Sequence, residues 1–288
     1  MSSTSETTDP SIGDIISRIN SLDASQVEQI VRYQKDKGVK FGEAAVALGM
    51  AKHEDVLWAL SQQFKYPYQG RTLESVSAEL VVATDPFDAT AEFFRDVRAQ
   101  LLNSVFDPKR TTKLALAVCS PDVGDGKSFF SANLAVAFSQ LAGRTLLIDA
   151  DMRTPRLHTL FGAEASVLGL SNVLSGRAEV NVKKPIESLP NLYLLPVGVI
   201  PPNPLELIQG QAFDHLIESV LPKFDYVIVD TPAAAHGADA RVIAAKCGAA
   251  LVVGRSGVTQ VAPLKNLCDS LKKTCEVFEG VLLNDHRG

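Results

Sequence analysis

Between residues 113 and 285 the chain alternates short apolar runs with longer segments whose apolar residues recur every three or four positions. The runs are KLALAVCS (113–120), RTLLIDAD (144–151), NLYLLPVG (191–198), DYVIVD (225–230), AALVVGRS (249–256) and FEGVLLND (278–285). Runs of this length, apolar on both faces, predict strands buried on both sides. SFFSANLAVAFSQLAG (128–143), closed by Gly143, and AEFFRDVRAQLL (91–102) carry helical spacing instead. Strand–helix alternation predicts an α/β fold, a mostly parallel sheet covered by helices on both faces. Ligands of such sheets sit beyond the carboxyl ends of the strands.

The first seventy residues follow a different pattern, a duplication. Segment 11–34 set against 40–63 at an offset of 29 brings Gly13 onto Gly42, Val27 onto Val56, Ile30 onto Ala59, Val31 onto Leu60 and Gln34 onto Gln63. The spacing of Val56, Leu57 and Leu60 is helical, so each copy predicts a short helix, a turn and a second helix. Two copies can close a small core together. The expected organisation is a disordered tail (1–10), a small helical repeat domain (11–68), a linker (69–88) with a short strand at 79–82, and a large α/β domain (89–288).

Composition narrows the classes. The chain is 46% apolar and 21% charged, as in a folded globular protein, and its net charge of −5 with no long basic run argues against nucleic acid as a partner. No stretch is long enough to span a membrane, and the start has neither the basic nor the apolar region of a secretory signal. The four cysteines follow no disulfide or metal spacing, which favours reduced cytosolic thiols.

Chemistry concentrates where the strands end. CSPDVGDGKSFF (119–130) joins the first run to its helix and holds the Gly-Lys-Ser of a phosphate loop, although Pro121 stands where such a loop usually opens with glycine. Val123, Gly124, Asp125, Gly126, Lys127, Ser128 and Phe129 are the candidate phosphate cradle. Backbone N–H groups and the helix N-terminus favour phosphate oxygens, Lys127 suits the β- and γ-phosphates, and the Ser128 hydroxyl suits Mg²⁺. Asp149 and Asp151 end the second run and share one side of it by alternation. They are positioned to hold a metal's waters or to take a proton from a hydroxyl. For Asp151 the bland alternative is a helix-start cap or an ion pair with Arg153. Asp230 ends a third run and suits a metal-directed carboxylate.

In this order the motifs resemble the cytoplasmic domain of bacterial tyrosine kinases that control exopolysaccharide chain length. The resemblance rests on the Gly-Lys-Ser loop, the DxDxR pattern of Asp149, Asp151 and Arg153, the acid of Asp230-Thr231-Pro232-Ala233, the segment Pro201 to Leu207 (PPNPLEL), and the ExxRxxR helix with Glu92, Arg95 and Arg98. It covers roughly residues 88–288. It implies a phosphate-loop NTPase fold, ATP and Mg²⁺ as cofactors, catalytic roles for Lys127, Asp149, Asp151 and Asp230, and metal binding by Ser128, Asp149 and Asp230. It further implies Arg153 and Asn284 at the nucleotide, the latter near the adenine edge. Glu92, Arg95 and Arg98 are then a subunit interface of a ring, and a solvated helix face is the bland alternative. A membrane-embedded chain-length protein is the implied partner, placing the chain in the cytoplasm against the inner membrane.

Two features depart from that pattern. Ala233 replaces the second proline of DxPP, and the five tyrosines (Tyr33, Tyr66, Tyr68, Tyr193, Tyr226) form no terminal cluster. An ATP-responsive assembly switch that transfers nothing to protein is therefore the second reading. Partition and site-selection ATPases carry a second loop lysine where this chain has Asp122, which ranks them lower. The N-terminal repeat resembles the small helical domain of type II secretion and pilus-assembly ATPases, some versions of which bind cyclic di-GMP through an arginine. Ser11-Ile12-Gly13 and Lys40-Phe41-Gly42 hold none, so protein docking is expected ahead of ligand binding.

Overall fold

The structure is a computed structural model that describes residues 11–63, 76–162, 168–187 and 189–285. The expected tail (1–10), residues 69–75 of the expected linker, and Tyr66 and Tyr68 lie outside the described residues. The chain divides into two compact units, 1–73 and 74–288.

The first unit holds α1 (Ile12–Ile19), α2 (Ala24–Lys37), α3 (Phe41–Ala47) and α4 (His53–Gln63). The helices of the two copies start 29 residues apart, at 12 and 41 and at 24 and 53, which is the spacing of the duplication. Ser11 caps α1 and Asp23 caps α2 through reciprocal side-chain bonds with the residues three positions on. Ile15, Ile16, Ile30, Ala44, Ala45 and Ala59 form the core. Gly42 is accounted for by packing, because a Cβ there would lie 2.6 Å from Val56 Cγ1 on α4.

The second unit runs α5 (Val81–Thr84), α6 (Ala89–Leu101), β1 (Ala115–Cys119), α7 (Lys127–Ser139), β2 (Thr145–Asp149), α8 (Leu157–Leu160), α9 (Leu170–Leu174), β3 (Leu192–Leu195), α10 (Pro204–Gln209), α11 (Gln211–Val220), β4 (Tyr226–Asp230), α12 (Asp239–Cys247), β5 (Gly248–Arg255), α13 (Val261–Thr274) and β6 (Val277–Asn284). The six strands form one sheet in the order β3-β2-β4-β1-β5-β6, and every strand pair in it is parallel. Alternate residues supply the two faces. Ala115, Ala117, Ile148, Val229 and Val252 join α9 to α13 in one core, while α7 packs on β1 to β4.

Every residue of α7 except Phe129 is buried, which is why its sequence reads apolar on all sides. Its buried amide, Asn133, is fully used. Asn133 Oδ1 accepts the Val82 N–H at 3.1 Å, and its Nδ2 donates to the Glu79 carbonyl at 2.8 Å. The expected strand at 79–82 is thus a correction: this stretch enters the one-turn helix α5, with Leu80 and Val82 fully buried. Residues 76–88 are accordingly part of the second unit.

Candidate active site

The chain leaves β1, the strand between β4 and β5, and turns into α7 through Ser120–Gly126. Gly124 and Gly126 take φ of 89° and 99°, a region closed to most side chains. Gly126 is constrained twice, since a Cβ there would lie 2.4 Å from Asn284 Nδ2. The opening of the loop is stitched to the segment after β4: Ala234 N–H donates to Ser120 O and Ala235 N–H to Pro121 O, each at 2.9 Å. Pro121 therefore serves through its carbonyl, and the glycine usual at that position is not required. The N-terminus of α7 at Lys127 presents its first N–H groups and its positive dipole end to the loop.

Three carboxylates converge on this helix start. Asp149 and Asp230 are directly paired across β2 and β4, and both are almost completely buried. Ser131, one turn beyond Lys127, places its hydroxyl 2.9 Å from Asp230 Oδ1, while Asp230 Oδ2 has no hydrogen-bond partner among the described residues. Lys127 Nζ lies 3.6 Å from Asp151 Oδ2, and both side chains are buried. Asp151 also caps the turn after β2: its Oδ1 accepts from Arg153 N and Thr154 N, and its Oδ2 from the Thr154 hydroxyl at 3.0 Å.

Burial dominates the titration of the paired acids. It raises Asp149 well above the ordinary carboxylate range, and the neighbouring charges of Asp230 and Asp151 add to the effect. It raises Asp230 to about 6, against the opposing pull of Lys127 and of the Ser128 and Ser131 hydroxyls. Two adjoining carboxylates ionise together only at high cost, so without a metal ion both hold their protons to higher pH than ordinary carboxylates do.

The donor set fits a hydrated Mg²⁺ ion. The buried Asp230 oxygen that lacks a hydrogen bond among the described residues, the Asp149 carboxylate and the Ser128 hydroxyl are the hard oxygen ligands such an ion takes. Among the described residues no three His, Cys, Asp or Glu side chains gather into a metal cage. Magnesium keeps most of its waters and takes one or two protein carboxylates plus phosphate, so it needs no such cage. Beside the loop opens a cleft of about 930 Å³ lined by Gly124, Gly126, Phe129, Phe93, Leu282 and Asn284.

The sequence-derived candidates distribute unevenly. Gly124, Gly126, Lys127, Ser128, Asp149, Asp151 and Asp230 come together. Val123 is exposed at the loop's tip, and Asp125 is buried beneath it. Arg153, expected at the nucleotide, turns to Asp239, with its Nη2 3.2 Å from both carboxylate oxygens, and the alternative ion pair with Asp151 is taken instead by Lys127. Asn284 Nδ2 donates to the Asp125 carbonyl at 3.1 Å. On α6, Glu92 is exposed and paired with Arg95, whose guanidinium also reaches the Pro86 carbonyl, while Arg98 reaches the Ala137 carbonyl of α7. Ser131 and Asp239 escaped the sequence reading. Ser131 stands four positions after Lys127 and was traceable from helix geometry, whereas nothing local marks Asp239.

The fold and its carboxyl-edge site define a phosphate-loop nucleotide-binding protein. Residues 116–288 match the CobQ/CobB/MinD/ParA nucleotide binding domain family. The tyrosine-protein kinase CpsD of Streptococcus agalactiae is 33% identical over 195 residues, covering 68% of this chain and 83% of that protein. Among solved structures, the chimerical protein CapA2B2 is similar at 30% identity with a TM-score of 0.66, covering 80% of this chain and 98% of that one. The kinase domain of the Escherichia coli tyrosine kinase ETK is similar at 28% identity with a TM-score of 0.65, covering 73% and 81%. The chain belongs to the bacterial tyrosine-protein kinases, within the wider nucleotide-binding family. Among the described residues no helix is long and apolar enough to cross a membrane.

Proposed function

We propose that this chain is a Mg-ATP-dependent protein-tyrosine autokinase that regulates exopolysaccharide polymerisation, chain length and export beside a membrane-embedded chain-length protein, as a ring at the inner membrane. The observation that carries the reading is the buried Asp230 Oδ2, which has no hydrogen-bond partner among the described residues and stands among Asp149, Ser128 and Lys127. A carboxylate so placed is costly unless a cation completes it.

In this reading the Gly124–Gly126 backbone and the α7 N-terminus cradle the phosphates, and Lys127 leaves Asp151 to meet them. Ser128, Asp149 and Asp230 would hold the ion, which would supply charge neutralisation at the phosphates when bound. Asp149 adjoins Asp230 across the paired strands. Its carboxylate is placed either to complete the ion's shell or to accept the proton of a tyrosine hydroxyl. Asp151, with both oxygens engaged, positions Lys127 and the turn after β2. Glu92 with Arg95 forms the outward part of the proposed ring contact, and the first unit serves docking, with cyclic di-GMP as its alternative ligand.

The test is incubation with labelled ATP and Mg²⁺, with and without the membrane partner, followed by phosphotyrosine mapping. Label on tyrosine, lost in Lys127→Met, is the expected result. ATP hydrolysis with no labelled tyrosine under either condition assigns the assembly switch instead.

A further inference from the structure

Asp125 puts an acid inside a loop that receives a polyanion. It is 1% exposed, and both its oxygens are held. Oδ2 accepts the Asp122 N–H at 2.8 Å, and Oδ1 accepts the Thr259 hydroxyl at 2.7 Å. Thr259 belongs to the turn between β5 and α13, which closes on itself through the N–H groups of Val258 and Thr259 bonded to Arg255 O. Its hydroxyl also accepts the Arg255 N–H at 2.6 Å. A hydroxyl has one proton to give, and here it goes to the loop acid, while the lone pair anchors the strand end. Asn284, at the end of β6, holds the Asp125 carbonyl. Two segments far downstream thus grip one loop residue from its side chain and its backbone.

Each grip has a chemical consequence. A free carboxylate beside bound phosphates repels them, and the loop can present its N–H groups only when Asp122 and Asp125 keep their mutual geometry. We propose that Thr259 is a positioning residue for nucleotide binding: it fixes the Asp125 carboxylate and so holds the phosphate loop in its receptive shape, with Asn284 completing the clamp. The inference rests on the reading of this loop as the nucleotide site.

The test uses the full chain, with MgATP affinity measured by titration calorimetry, turnover by steady-state kinetics and fold by thermal melting. Thr259→Val is expected to raise the Kd and KM for ATP about tenfold, the equivalent of one lost hydrogen bond to a charged group, with kcat within about twofold. Thr259→Ser keeps the hydroxyl and is expected to bind as the wild type does. Asp125→Asn added to Thr259→Val is expected to regain part of the lost affinity, because an amide does not repel phosphate. A merely structural threonine would not yield to that charge removal. Wild-type affinity in Thr259→Val, failure of Thr259→Ser to restore it, or no gain from Asp125→Asn each overturns the proposal. A Thr259→Val chain that melts far below the wild type assigns the hydroxyl to stability and overturns it equally. Failure of the underlying site reading is separate: it shows as absent MgATP binding in the wild type or as undiminished binding in Lys127→Met.

Discussion

Lys127 Nζ stands 3.6 Å from Asp151 Oδ2, an ion pair buried at the mouth of the phosphate loop. The lysine proposed to meet phosphate is thereby held by the acid that follows β2. Asp151 does not depend on it alone, because Arg153 N, Thr154 N and the Thr154 hydroxyl also bond its oxygens. Nucleotide can therefore take the lysine without leaving a bare buried carboxylate.

Lys127→Met tests that exchange. Loss of the cation is expected to weaken ATP binding by about a hundredfold or more, the scale of one charge-stabilising donor in a dry site. Asp151 keeps its three other donors, so the variant is expected to melt cooperatively. Calorimetric titration with ATP and a circular-dichroism melt check both halves. Wild-type affinity in a folded variant would remove the lysine from the site.

The paired acids make a prediction about pH. Asp230 titrates near 6 in the folded chain and near the ordinary 3.8 when unfolded. The native state therefore binds more protons between these values, and stability falls as pH rises through that window. Asp149, also raised, acts in the same direction. Metal-free protein is expected to lose stability from pH 4 to above 6, and Asp230→Asn to flatten that slope. At pH 8 the variant gains on the order of 2–3 kcal/mol, the cost of ionising one such carboxylate. Thermal melts in chelator across the pH range decide it; parallel wild-type and variant curves count against the buried charge.

The sheet was legible because its inner strands are buried on both faces, which leaves runs such as LALAV and YVIVD that no amphipathic helix would carry, whereas the edge strand β6, expected to be buried as well, is half exposed. The acids were legible for a related reason, since a charge ending an apolar run can only emerge at the sheet's edge. Val81 and Val82 misled in the other direction. Their β-branched side chains favour a strand, but Asn133 captures the Val82 N–H and the stretch closes into a helical turn. Arg153 with Asp239 and Thr259 with Asp125 were beyond reach, because each joins segments that only the folded sheet brings together.

The α6 arginines separate fold from assembly. Arg98 reaches the Ala137 carbonyl on α7, whereas exposed Glu92 pairs with Arg95 of its own helix. Arg98→Ala is expected to cost about 1–2 kcal/mol of stability through that contact. Glu92→Ala is expected to leave the melt unchanged and, if the stripe docks on a second copy, to lower the oligomeric mass. Light scattering beside thermal melts resolves the two roles. Unchanged mass in Glu92→Ala leaves the residue as a solvated helix position.

The boundary of the second unit gives the last prediction. Chains beginning at Glu74 and at Ala89 differ by the segment that carries α5, and α7 depends on that segment. Asn133 bonds both Val82 N and Glu79 O, Gln140 Nε2 donates to Val82 O at 3.2 Å, and Ser77 N donates to Leu160 O at 3.0 Å. Leu80 and Val82 are completely buried. Removing residues 74–88 strips these partners from a helix whose first turn carries Lys127 and Ser128, and leaves the Asn133 amide with buried bonds unmade. Each apolar side chain uncovered costs about 1.5–3 kcal/mol, before the polar loss is added. The chain from Glu74 is therefore expected to keep the ATP affinity and the melting temperature of the second unit. The chain from Ala89 is expected to melt well below it and to bind ATP weakly. Equal melts for the two would mean that α5 contributes nothing to α7.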